Sequence, residues 1–414
     1  MNVLHLSTYD SLGGAARAAL RLHLGLNNIG VESQMLVAVN DLKHASVTSI
    51  SSRYEQGITR LRSIIDALPL KLYTKRKKSL ISPAWLPEKL SKKIDLLNPD
   101  IINLHWVCNG FMRIEMLREI NKPIIWTLHD MWPFTGGCHY DDDCGKYQIE
   151  CGRCPQIGSE RENDFSRWVW RRKKKGWKDL SFTIIAPSRW LSKCASTSSL
   201  FRQCRIEVIP NGLDPNLYKP IDKRIGRKLL SLPQDKKIIL FGGMNASGDK
   251  RKGFRFLSSA LEILKRSNLN ADMVIFGETV TEKFPDIGCK THVLGNLQDD
   301  LQIAMAYGVA DVFLAPSTQD NLPNTVMEAL ACGTPCVAFD IGGMPDMIEH
   351  KKNGYLAKPY EPEDLARGIE WILAEEKRHQ SLSREARLRV ENEFDMNFVA
   401  QKYLDLYKSV LLAK

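Results

Sequence analysis

The sequence predicts an α/β protein made of two doubly wound domains, and three observations support this fold class. The chain has 414 residues, which is more than one hydrophobic core usually organises. Short apolar runs alternate with segments of helical period in both halves, and this alternation is typical of parallel sheets. Residues 209–220 contain three prolines and an Asn-Gly pair, which predicts a linker. We therefore expect two facing domains, 1–215 and 216–396, separated by a cleft.

The first half begins with a predicted strand at residues 2–7, then the glycine pair Gly13 and Gly14, and then a helix over 15–28. Glycines before a helix let a ligand approach the free backbone amides closely, although the same pair can simply form a tight turn. Further strands are predicted at 101–105, 124–129 and 182–187.

The second half repeats this pattern after residue 220. A final helix is predicted over 397–412, and no strand follows it. The predicted strands of this half are 237–242, 271–277, 292–295, 310–316 and 335–340.

Residues 320–335 are the most informative segment of the chain. A polar turn follows the strand at 310–316, and Pro323 favours a helix start because the missing N–H of proline would be unpaired there. Ligands of open α/β sheets bind at such strand ends, where free helix amides suit a diphosphate. Glu328 lies one turn after Asn324 and can accept bonds from vicinal hydroxyl groups; a buried helix start is the alternative. The candidate donor-binding residues here are Asp320, Asn321, Leu322, Pro323, Asn324, Thr325 and Glu328.

Asp320 and Glu328, separated by seven residues and followed by Ala-Leu-Ala-Cys-Gly-Thr-Pro, resemble the signature of family 4 retaining glycosyltransferases. The resemblance implies two Rossmann-like domains in the GT-B architecture, with the final helix, 397–414, packed back on the first domain. In that family the first acid is usually Glu and contacts the transferred hexose, and the second binds the ribose of the nucleotide. Asp320 is one methylene shorter than that Glu.

The resemblance also assigns roles in the first half. His129 ends the strand at 124–129, and the family places a His that contacts the donor sugar at this position. The loop with Gly13 and Gly14 corresponds to one beside the acceptor and the donor phosphates. By residue type alone, a histidine is more often a structural core group than a catalyst, so the case for His129 depends on its position. His105, at the end of the neighbouring strand, is a second candidate.

The glycine-rich segment 242–253 delivers basic residues after the first strand of the second half. Lys252 and Arg251 suit a diphosphate leaving group, since one charge near a phosphate oxygen is worth about 4 kcal/mol before desolvation at an effective dielectric of about 20. Lys252 and the following glycine resemble a family Lys-Gly pair, whereas Gly243 or Met244 stands where the family carries an Arg. An exposed charged loop is the alternative.

Four cysteines lie close together in a predicted insertion, 136–156. Four thiolates in one insertion favour a structural zinc site in a reducing compartment, although the spacing is not that of a standard finger, and free or oxidised thiols are the alternative. The family's catalysis needs no metal, so we expect no cofactor for the reaction itself. The four residues are Cys138, Cys144, Cys151 and Cys154.

The net charge of +10 is concentrated in the first half, at 71–78, 89–93 and 171–175. Basic residues beside tryptophan favour docking on an anionic membrane surface, and a solvated surface is the alternative. No nucleic-acid recognition motif accompanies the charge. With no signal-like amino end and no long apolar run, we expect a cytoplasmic protein, peripheral on the inner face of the cell membrane. The tryptophans concerned are Trp85, Trp168, Trp170 and Trp177.

Together the resemblance and these residues predict a retaining glycosyltransferase that moves a hexose from a nucleotide diphosphate sugar to a lipid-linked or oligosaccharide acceptor, in capsule, exopolysaccharide or O-antigen synthesis. His129 and Asp320 would position the sugar, Lys252 would hold the leaving diphosphate, and Glu328 would bind the ribose. Glu278, directly after a predicted strand, is a candidate for the nucleotide pocket or a turn residue. The alternatives are a nucleotide-sugar epimerase of the same architecture and a non-catalytic sugar-nucleotide-binding protein.

Overall fold

The computed structural model of the chain describes residues 1–50, 56–243, 248–267, 269–277, 290–297 and 299–413. The chain divides into two compact units. The first contains Met1–Pro210 with Val399–Lys414, and the second contains Asn211–Phe398. Each unit has its own parallel sheet, so the predicted α/β class with two domains is confirmed.

The first unit contains a seven-stranded sheet. Its strands are β1 (Asn2–Tyr9), β2 (Glu32–Val39), β3 (Val47–Ser49), β4 (Ile101–Leu104), β5 (Ile124–Thr127), β6 (Phe182–Ala186) and β7 (Arg205–Val208). They pair in parallel in the order β3-β2-β1-β4-β5-β6-β7. The strand order reverses between β1 and β4, which is where ligands bind in doubly wound sheets. The four strands predicted in this half are confirmed, whereas β2, β3 and β7 were not predicted.

Helices cover this sheet. Two of them start at side-chain caps, since Asp164 accepts from the N–H of Arg167 and Ser188 accepts from the N–H of Leu191. Among the described residues, no helix is both long and apolar enough to span a membrane. The helices are α1 (Gly14–Asn28), α2 (Gln56–Asp66), α3 (Leu90–Leu97), α4 (Phe165–Trp177) and α5 (Arg189–Thr197), with short 3-10 helices that include Leu68–Leu72 and Lys146–Gln148.

The second unit contains a six-stranded parallel sheet. Its strands are β8 (Lys237–Gly242), β9 (Ala271–Phe276), β10 (Thr291–Val293), β11 (Val312–Ala315), β12 (Cys336–Phe339) and β13 (Gly354–Ala357), in the order β10-β9-β8-β11-β12-β13. The five strands predicted in this half are confirmed, and β13 was not predicted. Its helices are α6 (Lys223–Leu229), α7 (Phe254–Leu264), α8 (Asp300–Gly308), α9 (Asn324–Ala331), α10 (Met344–Met347), α11 (Pro362–Leu373) and α12 (Glu376–Glu393).

The last helix, α13 (Met396–Leu412), packs on the sheet of the first unit. Its buried side chains join the core formed by β1 and α1, and the hydroxyl groups of Tyr403 and Thr127 lie 3.1 Å apart. This burial of apolar area holds the carboxyl end of the chain in the first unit. The core residues contributed by α13 are Val399, Ala400, Tyr403, Leu406 and Tyr407.

The segment predicted as a linker is largely structured within the second unit. Leu213 and Tyr218 are both fully buried. The backbone N–H of Leu213 donates to Phe394, and the N–H of Met396 donates to Leu213. The turn-forming prolines and Asn-Gly pair of residues 209–220 therefore shape a packed connection.

The aromatic residues of α4 lie mostly in the core, whereas Arg171, Lys174 and Lys175 of the same helix are exposed. Trp170 and Trp177 are buried, and of the four tryptophans named above only Trp168 is exposed. Lys173 is fully buried and donates to the carbonyl oxygen of Thr135 at 3.1 Å. The helical period turns Trp170, Lys173 and Trp177 toward the core and leaves the other basic residues of the run outside, so these two tryptophans are not available to a membrane surface.

Asp311 joins three elements just before β11. Its carboxylate accepts from Lys223 and Arg227 of α6 and from the backbone N–H of Ile238 in β8, each at 2.7 Å. Burial raises the pKa of Asp311, but Lys223 and Arg227 outweigh that effect and lower it. This network fixes the strand that leads into residues 316–328.

Asp311→Asn should lower the free energy of unfolding by about 3–5 kcal/mol at neutral pH, because the buried Arg227 and the partly buried Lys223 lose their carboxylate. A carboxyl whose folded pKa is depressed stabilises the fold above its unfolded pKa, and that stability is lost as pH falls through the folded value. The difference between wild type and variant should therefore shrink below about pH 4. Denaturant unfolding measures it, with the exposed Asp235→Asn as control. Equal stability of wild type and Asp311→Asn at neutral pH would contradict this assignment.

Candidate functional site

In the second unit, an ion pair joins the loops after β8 and β11. The Lys252 ammonium donates to Asp320 Oδ2 at 2.8 Å, and the Asp320 carboxylate also accepts from the backbone N–H of Asn321 at 3.0 Å. Burial raises the pKa of Asp320, but the charge and hydrogen bond of Lys252 outweigh it and hold that pKa below its usual range. Asp320 is therefore an ionised, buried carboxylate whose partner is the predicted phosphate-binding lysine.

Backbone contacts fix these two loops against each other. Gly253 has φ +73, and a Cβ there would lie 1.8 Å from the carbonyl oxygen of Pro316. The N–H of Thr318 donates to the carbonyl oxygen of Arg251 at 2.7 Å. A side chain at position 253 would push the loop away, so glycine is what allows Lys252 to reach Asp320.

Helix α9 begins beside the ends of β8 and β9. Pro323 is the N-cap residue rather than the first helical residue, and its carbonyl oxygen accepts from the N–H of Val326. A Cβ at Gly243 would lie 3.5 Å from Thr325, so this glycine faces the helix start. The predicted segment is mostly closed: Asp320, Asn321, Leu322 and Pro323 are buried, whereas Asn324 and Thr325 are half-buried.

Glu328 is more enclosed than its sequence position indicated. It is only 3% exposed, and it lies close enough to the Tyr307 hydroxyl to raise the pKa of that group, after the larger effect of burial. One turn earlier, Asn324 accepts from the side-chain amide of Asn211 at 3.3 Å. The carboxylate of Glu328 thus belongs to a polar cluster inside the helix start.

Arg251 and Glu278 were also predicted to bind the donor, and the structure describes only Arg251. Arg251 pairs with Asp249 at 2.7 Å in its own loop, and its guanidinium is half exposed. Glu278 and Met244 lie outside the described residues. The structure therefore brings Lys252, Asp320 and the start of α9 together, and places Arg251 at the edge of this group.

In the first unit, three imidazoles form a hydrogen-bonded chain at β1, β4 and β5. His5 Nδ1 lies 2.9 Å from His105 Nε2, and His105 Nδ1 lies 3.0 Å from His129 Nε2. Burial lowers the pKa values of all three rings, that of His129 to about 4 with Asp130 opposing the shift. The chain is therefore neutral at physiological pH.

The hydrogen bonds among the three histidines indicate which ring nitrogen of His105 and of His129 carries the proton. The side-chain amide of Asn103 donates to His105 Nε2 at 2.8 Å, so this nitrogen accepts and the neutral ring carries its proton on Nδ1. That proton is donated to His129 Nε2, which leaves the proton of His129 on its own Nδ1. His129 is thereby prepared to donate one hydrogen bond from Nδ1 without carrying charge.

Gly13 and Gly14 lie after β1, at the start of α1. Gly13 has φ +88 and caps the helix through its carbonyl oxygen, which accepts from the N–H of Arg17 at 3.1 Å. Its positive φ combined with ψ 169 is a backbone conformation that essentially only glycine adopts. Because β1, β4 and β5 end at the same edge of the sheet, the glycine loop and His129 share that edge.

The four clustered cysteines line one small cavity in the first unit. Among the described residues, no group of three or more His, Cys, Asp or Glu side chains is already arranged to hold a metal ion.

Family comparisons agree with this geometry. Residues 12–217 match the model of Glycosyltransferase Family 4, and residues 222–389 match that of Glycosyl transferases group 1. The chain belongs to glycosyltransferase family 4. The predicted resemblance is therefore confirmed.

Relatives of this glycosyltransferase include the lipopolysaccharide 1,2-N-acetylglucosaminetransferase of Salmonella typhimurium, which is 25% identical over 242 residues, or 55% of this chain and 62% of that protein. Sucrose-phosphate synthase from Thermosynechococcus elongatus superposes with a TM-score of 0.71 and 18% identity over 100% of both chains. Anabaena HepE in complex with UDP-glucose superposes with a TM-score of 0.66 and 16% sequence identity, over 99% of this chain and 100% of that chain. These two structures support the GT-B fold.

Sequence reasoning missed several supporting residues of this glycosyltransferase. His5 lies in the middle of β1 rather than at its end, so position gave no reason to choose it. Asn103 and Thr127 are polar residues within apolar runs, and this was the sequence signal that could have identified them as buried hydrogen-bonding residues. A Cβ at Gly342 would lie 2.1 Å from the Asp320 carbonyl oxygen, a contact that only the fold shows.

The neutral imidazoles should make the stability of this glycosyltransferase depend on pH. A histidine whose folded pKa is lowered to about 4 binds a proton in the unfolded state first, so the free energy of unfolding should rise with pH between about 4 and 6.5. His129→Asn should reduce that slope by up to about 1.4 kcal/mol per pH unit. Denaturant unfolding across this pH range measures the slope of the free energy of unfolding, and the exposed His44→Asn is the control. An unchanged slope in His129→Asn would contradict the neutral state of the three histidines.

Proposed function

We propose that this glycosyltransferase is a retaining enzyme that moves a hexose from a nucleotide diphosphate sugar to a lipid-linked or oligosaccharide acceptor in surface polysaccharide synthesis, whether capsule, exopolysaccharide or O-antigen. The observation that carries the proposal is the Lys252–Asp320 pair, 2.8 Å apart beside the start of α9. Ligands of open α/β sheets bind at this edge. The UDP-glucose bound by HepE and the activity named for the Salmonella relative support the substrate class.

The chemistry assigned to Lys252 is stabilisation of the leaving diphosphate. The ammonium is already desolvated in part and held by Asp320, so a phosphate oxygen can replace the carboxylate as its partner. Negative charge on the leaving group grows in the transition state, and an interaction that strengthens with it accelerates the reaction. The amides at the start of α9 add positive potential.

The reaction then follows a front-face course. The bond between the anomeric carbon and the diphosphate oxygen breaks, the acceptor oxygen bonds to the same face, and the leaving diphosphate takes the proton of the acceptor hydroxyl. Asp320, released from Lys252, can accept a hydrogen bond from a hexose hydroxyl, while His129 donates one from Nδ1. Glu328 is assigned to the ribose hydroxyl groups. No metal or other cofactor takes part in this scheme.

Lys252→Ala should lower kcat by about 10²–10³, since a charged group aimed at the developing anion is lost. Release of nucleoside diphosphate and formation of glycosylated acceptor measure this loss, and NMR of the product gives the anomeric configuration. Lys250→Ala is the matched control, because Lys250 is exposed on the same short helix. Inversion at the anomeric carbon would contradict retention, and undiminished activity of Lys252→Ala would contradict the assignment of Lys252.

Two outcomes separate the alternatives. Release of free epimerised sugar without acceptor would identify an epimerase, and donor binding without turnover would identify a binding protein. Thermal stabilisation by nucleotide sugars reports donor binding directly. Glu328→Gln should weaken that stabilisation, and an unchanged effect would remove Glu328 from the donor site.

We also propose peripheral docking on an anionic membrane through the segment 61–80 of the first unit. Apolar side chains follow one another along α2 and the adjoining 3-10 helix, and their exposed fractions are 54% for Leu61, 58% for Ile64 and 85% for Leu72. Exposed apolar groups beside lysines fit the boundary between lipid headgroups and acyl chains. The exposed basic residues of the segment are Lys71, Lys75, Arg76, Lys77 and Lys78.

Ile64→Glu with Leu72→Glu should weaken binding to phosphatidylglycerol vesicles by at least about tenfold, because each buried side chain of this size contributes about 1.5–3 kcal/mol. Leu96→Glu is the control, since Leu96 is 85% exposed on α3. Vesicle sedimentation measures the binding. Equal affinity of the double variant and wild type, or equal binding to neutral vesicles, would contradict this docking mode.

A further inference from the structure

The strongest feature outside the proposed reaction is a small cavity lined by four thiols in the first unit. Its volume is about 20 Å³, which is suited to one ion or water rather than to an organic ligand. Three of the thiols are buried and the fourth is half-buried, and all four are free rather than disulfide-bonded. They are Cys138, Cys144, Cys151 and Cys154.

Backbone amides point at three of these sulfur atoms. The N–H of Gly136 donates to Cys151 Sγ at 3.1 Å. The sulfur of Cys144 accepts from the N–H of Lys146, two residues on, and that of Cys154 accepts from the amides two and three residues on. Burial raises the pKa of all four thiols, and these backbone hydrogen bonds oppose that shift for three of them. Amides that follow a cysteine by two or three residues also bend the chain around its sulfur.

The turns between the cysteines require special backbone conformations. Gly145, directly after Cys144, has φ +64, and Arg153, directly before Cys154, has φ +44. A Cβ at Gly136 would lie 2.4 Å from the carbonyl oxygen of Ser166. Strain at Arg153 and the tight fit at Gly136 are tolerated where they aim the thiols and amides at the cavity.

Charges of both signs lie around the cluster, since Arg167 pairs with Glu150 at 3.5 Å and with Glu162 at 3.3 Å. Lys146 donates to the carbonyl oxygen of Gly152 at 2.8 Å, and Arg167 donates to that of Cys151 at 2.8 Å. Lys173 is fully buried, and burial lowers its pKa to about 7, so it does not supply a full positive charge at neutral pH. Four thiolates around a divalent cation carry two net negative charges, and Lys146, which lines the same cavity, is a cation that offsets part of this charge.

We propose that Cys138, Cys144, Cys151 and Cys154 bind one Zn²⁺ as a structural, all-thiolate site. Tetrahedral zinc requires four sulfurs at about 2.3 Å from one centre. The thiols already line the same cavity, so binding draws the side chains further into it, releases their protons to solvent and forms four zinc–sulfur bonds. No electron is transferred in this step.

Zinc at this position would fix the loop that follows β5. His139, next to Cys138, lies 2.6 Å from Asp130 through Nδ1, and its carbonyl oxygen accepts from the N–H of Met131. Asp130 in turn adjoins His129. The metal would thus hold His129 in place through two residues, without contacting any substrate.

The primary test is the metal content of the full chain purified under reducing conditions without added chelator. Native mass spectrometry and elemental analysis should find about one zinc per chain, and replacement by Co²⁺ should give the intense visible absorption of tetrahedral thiolate ligation. Cys144→Ser and Cys154→Ser should each lower zinc content at least about tenfold, whereas Cys204→Ser, a half-buried cysteine outside the cluster, should retain it.

The wild-type measurement decides the proposal even if the serine variants fold poorly. A metal-free wild-type chain with four titratable thiols, or with disulfides among them, would overturn it. One zinc that persists in both Cys144→Ser and Cys154→Ser would place the ion elsewhere and would overturn it as well. Because none of these readouts requires turnover, the result is independent of the proposed transfer reaction.

Discussion

The contact between Lys252 and Asp320 is the interaction on which the second unit's site depends. Each residue reaches the carboxyl edge of the sheet from a different strand, and each depends on a glycine, Gly253 or Gly342, whose missing Cβ lets two backbones touch. A buried ion pair is weak evidence for stability, because desolvation offsets much of the attraction between the charges. Its position at the ligand-binding edge of the sheet fits exchange with an anionic ligand better than a role in folding.

Central strands could be predicted from sequence because they are covered on both faces. Such strands are continuous apolar runs, as in residues 237–242 and 310–316, and short runs of this kind between turn residues are typical of buried parallel strands. Edge strands lack this signal. In β7, Arg205 and Glu207 alternate with apolar residues, because one side of that strand is not enclosed by neighbours. Strand β13 was missed for another reason, because it is only four residues long and begins with Gly354.

The candidate site was predictable in its positions and less so in its contacts. Strand ends and turn residues place His129 and Asp320 at sheet edges from sequence alone. Sequence does not show which side chains meet, so the pairing of Lys252 with Asp320 and the enclosure of Glu328 were found only in the fold. The same limit applies to Trp170, which is buried although its helix is rich in charged residues. Its burial depends on how the helix is rotated against the sheet, and the sequence does not show that rotation.

The two units supply different electrostatic environments, and this division constrains the proposed chemistry. With its pKa lowered to about 4, His129 is uncharged at neutral pH, so it can donate a hydrogen bond but cannot neutralise a diphosphate. The positive charge needed by the leaving group must therefore come from Lys252 and the amides at the start of α9. A neutral donor beside the sugar also leaves the acceptor proton to the departing diphosphate, because an imidazole with so low a pKa is a poor base. In the proposed reaction, a hydrogen bond to the hexose is therefore the role assigned to His129, and stabilisation of charge is the role assigned to Lys252.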